Sequence, residues 1–344
     1  MSVEAAVALA PLTTLRLGGP ARRLVHAATT DALVAAVREL DAAGEPVLLL
    51  AGGSNVVIAD RGFDGTVVRI ETRGIARDGA SLTVAAGEPW DAVVRRAVDD
   101  GLAGIECLSG IPGATGATPI QNVGAYGQDV SQTIASVRVL DRRSGEIAEL
   151  APEACGFRYR SSAFKGRADH VVLAVTFALR ESAAGEPVAY AELARALRVE
   201  PGAQPPLPDV RAAVLALRRA KGMVVDPDDP DSVTAGSFFT NPILDPGAFA
   251  ALARRAAPAA PPAFPEPDGR VKTSAAWLIQ RAGFERGMTR GRVAISSKHT
   301  LALVNRGGAS TAELVALARE VAAGVRAAFG VELVPEPAFV GHAW

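Results

Sequence analysis

Residues 107–129, CLSGIPGATGATPIQNVGAYGQD, hold the densest set of groups able to take a large anionic ligand on main chain. Gly110, Gly113, Gly116, Gly124 and Gly127 leave the backbone bare, while Pro112 and Pro119 restrict its path. Successive N–H groups in such turns form a concavity suited to a pyrophosphate, and the Gln121 and Asn122 amides add donors and acceptors. The spacing G-x-x-G-x-x-G is neither the G-x-G-x-x-G of a dinucleotide-binding βαβ unit nor the G-x-x-x-x-G-K-[ST] of a P-loop, so both are disfavoured. The plainer alternative is a surface Ω-loop. A second turn, Gly52-Gly53-Ser54-Asn55, separates the apolar runs 47–51 and 56–58. Strand, glycine-polar turn, strand is either a phosphate cradle or simply a hairpin.

Other chemistries find little support. Lys plus Arg is 36 against 37 Asp plus Glu, a formal charge of −1, so no global basic field recruits nucleic acid. Cys107 and Cys155 match no metal spacing, and His26, His170, His299 and His342 form no H-x-x-x-H pair, so no metal is expected; the thiols read as buried and reduced, with a single disulfide between them as the alternative. The opening residues MSVEAAVALAPL lack a basic leader, and no apolar run approaches the ~18 residues of a membrane span. No signal peptide, a cytoplasmic location and a monomer are the expectations.

Together with residues 14–21 (TLRLGGPA), the two glycine segments resemble the flavin-binding half of the UDP-N-acetylenolpyruvoylglucosamine reductases, a family of the vanillyl-alcohol-oxidase-like flavoproteins. The resemblance continues through residues 159–165 (YRSSAFK), 236–242 (GSFFTNP), 272–279 (KTSAAWLI) and 335–341 (PEPAFVG), in the family's order and over nearly the whole chain. It implies an α+β fold: a two-lobed FAD-binding domain of the vanillyl-alcohol-oxidase (PCMH) type over residues 1–75 and 76–208, then a substrate-binding α+β domain over 209–344 that closes the substrate over the flavin. It also implies FAD and NADPH as cofactors and a UDP-sugar enolpyruvate as substrate. The flavin would lie on Gly52, Gly53, Ser54 and Asn55, and on Pro112, Gly113, Gly116, Gln121, Asn122, Gly124 and Tyr126. Thr118, Ser161-Ser162 and Ala51 depart from the usual alanine, Asp-Ser and glycine, and none removes a proposed catalytic group.

Reducing an enol ether joined to a carboxylate takes a hydride at one vinyl carbon and a proton at the other, with negative charge spreading onto the carboxylate in between. By the resemblance, Arg160 is the cation that holds this carboxylate bidentately, Ser237 the proton donor, and Glu336 either an acid donating to the enolate or a carboxylate orienting Arg160. Prolines on both sides of Glu336 fix its backbone and are expected to prevent ordinary ladder pairing there. Plainer roles exist for each: a solvated arginine, a serine bonded to backbone, an edge-strand glutamate facing solvent. Arg218, Lys221, Asn241 and Tyr190, the last in an insertion resembling the tyrosine-bearing loop of the longer family type, are the candidates for the nucleotide diphosphate. An alcohol or sugar oxidase of the same superfamily and a catalytically silent nucleotide-binding module are the alternatives.

Positioning these groups falls to a legible set of elements. Residues 31–42 place Leu33, Val34, Val37 and Leu40 on one helical face, with Thr29, Thr30 or Asp31 to cap and Gly44 to stop it. Residues 65–71 and 81–86 read as a strand pair, 90–99 as a helix leading into the central glycine segment, 135–140 and 147–150 as a hairpin, and 171–179 as a buried strand. Helices are expected near 191–197, 210–220 and 274–281, and strands at 292–295 and 300–304. Residues 310–329 carry the clearest helical signal, with a Ser310/Glu313 capping box, a Leu314, Leu317, Val321, Val325 stripe and Gly330 at the end.

Overall fold

The helix Thr30–Ala42 forms where the apolar period places it: Thr29 accepts from Ala32 N at its start, and Leu33, Val34, Val37 and Leu40 are buried. In the computed structural model, which describes residues 2–344, it bridges the strands Pro20–Ala27 and Val47–Leu50, each parallel to Phe63–Ile70. The strand Val3–Ala8 completes this four-stranded sheet by pairing antiparallel to Pro20–Ala27. A second, antiparallel sheet runs Ile147–Leu150, Ile134–Asp141, His170–Ala178, Ser81–Ala85, Ile75–Asp78. Its expected hairpin is present, with Val137 opposite Leu150. The two sheets share a core in which Leu33 and Val37 of the helix meet Leu140, Val171 and Leu173. The helix Trp90–Asp99 seals the other face, Trp90 lying 5.5 Å from Phe177 between ring centroids.

One expected pairing is corrected. The strands near 65–71 and 81–86 exist but do not pair with each other, since Phe63–Ile70 belongs to the parallel sheet and Ser81–Ala85 to the antiparallel one. Alternation identifies a strand without naming its partner, and Gly79 turns the chain so that Ile75–Asp78 becomes the nearest antiparallel neighbour of Ser81–Ala85. The hairpin alternative for the Gly52-Gly53 turn is likewise excluded, because Val47–Leu50 pairs with Phe63–Ile70 and Val56–Ile58 pairs with Ala338–Val340.

The chain divides into two compact units. The first contains Met1–Ala8, Pro20–Gly53 and Phe63–Ala220; the second contains Leu9–Gly19, Ser54–Gly62 and Lys221–Trp344. In the second unit the helix Thr311–Phe329 lies on the sheet Thr234–Ser237, Ala302–Asn305, Val293–Ile295, Thr289–Arg290. Its capping box and left-handed Gly330 end are as the sequence predicts, and Leu314, Leu317, Val321 and Val325 are buried, each contributing about 1.5–3 kcal/mol. Leu15, Leu17 and Val57, from the two short early segments, are part of that same core. Among the described residues, no helix is long and apolar enough to cross a membrane.

Candidate functional site

The central glycine segment is built into the first unit and is no surface Ω-loop. It contains the turns Glu106–Leu108 and Thr115–Ala117, the short helix Thr118–Gln121 and the two-residue strands Gly124–Ala125 and Gln128–Asp129. Leu108, Thr115, Thr118, Gln121 and Asn122 are buried. The two glycine segments also rest on each other: a Cβ at Gly52 would lie 2.5 Å from Gly113 Cα and 2.8 Å from its carbonyl carbon. Bare backbone at Gly52 and Gly113 therefore serves close approach of chain to chain. Thr118, one of the departures from the family pattern, finds a partner by donating to Thr115 O at 2.8 Å.

Arg160 sits at the tip of a tight turn in the same unit. Arg158 N donates to Ser161 O at 2.9 Å and Ser161 N donates back to Arg158 O at 3.1 Å. Between them Arg160 takes a left-handed conformation, φ 52°. Its guanidinium donates to Gly124 O and, at 3.5 Å, to Asn122 O, and it lies 5.2 Å from the centre of the Tyr159 ring. The cation is thereby held on the carbonyls of the glycine segment.

Tyr126 and Tyr190 meet edge to face, 5.5 Å apart, with Tyr190 47% exposed at the start of the helix Ala191–Leu197. Burial pushes the Tyr126 hydroxyl up to about 12, so it is a neutral donor at pH 7. Arg218, in the last turn of the helix Leu207–Ala220, is buried; burial lowers it to about 10, opposed by nearby Tyr126 and Asp91, and it keeps its charge at neutral pH. Tyr126, Arg160 and Arg218 thus share one electrostatic neighbourhood in the first unit.

In the second unit the structure brings Ser237 and Glu336 together through backbone. Glu336 N donates to Phe238 O at 2.8 Å, and Phe239 bridges Pro335 in antiparallel fashion. The flanking prolines therefore do not prevent the Glu336 N–H from pairing. Ser237 ends the strand Thr234–Ser237 after a bulge and a left-handed Gly236, φ 77°. Phe238 and Phe239 are both 1% exposed beneath it. Among the described residues none hydrogen-bonds the Ser237 hydroxyl, unlike the backbone-bonded serine that such a position commonly carries. Asn55 joins this group, its Nδ2 donating to Glu336 O at 3.5 Å and its carbonyl accepting from Ala338 N at 3.0 Å. Asn241 accepts from Ala275 N at 3.0 Å, which engages its oxygen at the start of the helix Ala275–Arg281. Lys221 begins the last segment of this unit.

The residues picked out by sequence thus fall into one set around Arg160 in the first unit and another around Ser237 in the second. Sequence reasoning missed Glu106 and Gln128. Glu106 is fully buried and accepts from Gly104 N at 2.7 Å, Gln128 Nε2 at 2.9 Å and Glu186 N at 2.6 Å. It thereby ties the inserted segment that carries Tyr190 to the glycine segment. A single acid in the apolar run Gly104-Ile105-Glu106-Cys107-Leu108 was the available signal, since such a charge must be met by donors when buried.

The cradle fits a flavin nucleotide at Gln121: its buried Nε2 has no hydrogen-bond partner among the described residues, a donor that an acceptor-rich ring or phosphate would satisfy. The Gly110 and Gly116 N–H groups, by contrast, are taken by Asp91 Oδ1 at 2.6 Å and Ala86 O at 2.8 Å. A family model for the FAD binding domain matches residues 21–151, and one for the UDP-N-acetylenolpyruvoylglucosamine reductase C-terminal domain matches residues 228–340. The chain is 56% identical to the UDP-N-acetylenolpyruvoylglucosamine reductase of Thermobifida fusca over 97% of both chains. It is 59% identical to that of Streptomyces coelicolor over 97% of this chain and 89% of the relative. The crystal structure of the UDP-N-acetylenolpyruvylglucosamine reductase from Thermus caldophilus superimposes with a TM-score of 0.68 at 25% identity, covering 99% of both chains.

Proposed function

Because the chain belongs to the UDP-N-acetylenolpyruvoylglucosamine reductase family, we propose that it uses FAD and NADPH to reduce UDP-N-acetylglucosamine enolpyruvate to UDP-N-acetylmuramate, a step of peptidoglycan precursor synthesis. Residues 1–75 and 76–208 are proposed as the two flavin lobes, 209–344 as the substrate domain, and the protein as a cytoplasmic monomer. Gly52, Gly53, Ser54 and Asn55, with Pro112, Gly113, Gly116, Gln121, Asn122, Gly124 and Tyr126, would hold the cofactor.

FAD, when bound, supplies the hydride that no side chain can give. Arg160 binds the substrate carboxylate and gains strength as negative charge grows there. Ser237 gives its hydroxyl proton to the second vinyl carbon, where Phe238 and Phe239 keep bulk water from competing. Glu336 either donates to the enolate as an acid or, ionised, orients Arg160. Arg218 and Lys221 take the diphosphate, with Tyr190 closing over it and the Asn241 amide donating to the sugar nucleotide.

The observation that best supports this reading is the backbone hydrogen bond from Glu336 N to Phe238 O, which joins the Pro-Glu-Pro segment to the residue that follows Ser237. Coupled turnover under argon tests it. NADPH oxidation should require UDP-N-acetylglucosamine enolpyruvate and give a product two mass units heavier. NADPH consumption that proceeds only with oxygen, or flavin reduction by a sugar or alcohol, would instead establish the oxidase alternative.

A further inference from the structure

A left-handed arginine does not hold itself in place. Arg160 has φ 52°, a conformation that costs a non-glycine residue of order 1 kcal/mol or more and persists where the surroundings over-determine it. Two side chains bear on its turn: Lys165 Nζ donates to Arg160 O at 3.0 Å, and Asn122 reaches it from the glycine segment. Asn122 caps the helix Thr118–Gln121 with its own left-handed turn, φ 43°, which asparagine tolerates better than other residues. It is 4% exposed, and both ends of its amide are committed: Nδ2 donates to Arg158 O at 3.0 Å and Oδ1 accepts from Ser131 N at 3.2 Å. Arg158 O is the same carbonyl that closes the turn around Tyr159 and Arg160. The Arg160 guanidinium then returns to the Asn122 and Gly124 carbonyls. A second tie, from Ser162 Oγ to Ile120 O at 2.9 Å, joins the same two segments but bears on the far side of the turn.

We propose that Asn122 is the positioning residue of Arg160: its side chain fixes the 158–161 turn on the capped helix, and its carbonyl receives the guanidinium that the turn presents. The inference rests on Arg160 being the carboxylate-binding cation of the proposed reaction. It adds a task within the protein to the cofactor contact proposed for Asn122, with one N–H of the amide engaged on Arg158 O and its oxygen on Ser131 N.

Two variants separate the backbone cap from the side-chain staple. Asn122→Gly keeps the left-handed turn and loses the amide; Asn122→Asp keeps the acceptor for Ser131 N and loses the donor to Arg158 O. In both holoenzymes, amide hydrogen exchange over residues 158–165 should quicken about tenfold, and substrate-driven reoxidation of the flavin should slow roughly 10- to 100-fold, the scale of an ångström-sized misplacement. In an Arg160→Ala background, Asn122→Asp should slow reoxidation no further. Additive losses in that background would overturn the proposal, as would unchanged exchange over 158–165 in both variants. Loss of bound FAD with turnover of the remaining holoenzyme intact would also overturn it and return Asn122 to the cofactor. If Arg160→Ala alone reoxidises at the native rate, the role given to Arg160 fails, and exchange over 158–165 then decides the placement by itself.

Discussion

Ser237 is asked to do the least familiar chemistry, because a serine hydroxyl is a weak acid and gives up a proton only to a strongly basic centre beside it. Around it the fold ends a strand at Ser237, precedes it with a left-handed Gly236 and follows it with two buried phenylalanines; the basic centre that would take the proton belongs to the proposed substrate. Replacing Ser237 with Ala should slow reoxidation of the reduced enzyme by substrate about 10²- to 10⁴-fold, the usual range for a lost general acid, and change reduction by NADPH by less than about twofold. Stopped-flow absorbance separates the two steps, and equal loss in both would remove Ser237 from the donor role. At this scale the sequence singled out Arg160, Ser237 and Glu336 only through whole-chain resemblance. An arginine in Tyr-Arg-Ser or a glutamate between prolines carries no chemistry of its own to read. Asn122 was legible as a polar residue in a glycine segment, but its work depends on a left-handed backbone and on Arg158, 36 residues away, which no local pattern records.

Elements with a strong apolar period were the most legible. The helices Thr30–Ala42 and Thr311–Phe329 carry their caps and stripes in the sequence and fold accordingly. Strand partners were not, as the segments near 65–71 and 81–86 show, because a strand's period is the same whichever neighbour it takes. The glycine segments were read as open backbone for a ligand, and the structure adds that they also need glycine to touch each other. A methyl group at Gly52 would sit 2.5 Å from Gly113 Cα, and backbone there cannot move aside without disturbing the start of the helix Trp90–Asp99, where Trp90 N donates to Gly113 O at 3.0 Å. Gly52→Ala should therefore lower stability by about 1–3 kcal/mol, as overpacking does, and reduce the FAD retained on purification. Thermal unfolding and the ratio of flavin to protein absorbance check both, and a variant with native melting and native flavin content would mean that the two segments are free to part.

Chain order hides how the whole molecule is put together. Leu9–Gly19 and Ser54–Gly62 belong to the same unit as Lys221–Trp344, and Val56–Ile58 finds its strand partner at Ala338–Val340, some 280 residues later. Short apolar runs look alike whichever core they enter, so nothing in Val56-Val57-Ile58 announces that it will pair with the last strand of the chain. Chemistry was legible at this scale for a different reason: blocks spread over the whole length fall in the order of one family, and relatives more than half identical over nearly all of the chain carry that family's name. The proposed function ties fold to chemistry most directly through electron flow across a bound flavin in two separable steps. The deciding measurement is anaerobic absorbance of the purified protein, first with NADPH and then with UDP-N-acetylglucosamine enolpyruvate. The yellow spectrum should bleach on the first addition and return rapidly on the second. A protein that bleaches and stays bleached would keep the flavin and contradict the substrate, and a colourless protein would contradict the account altogether.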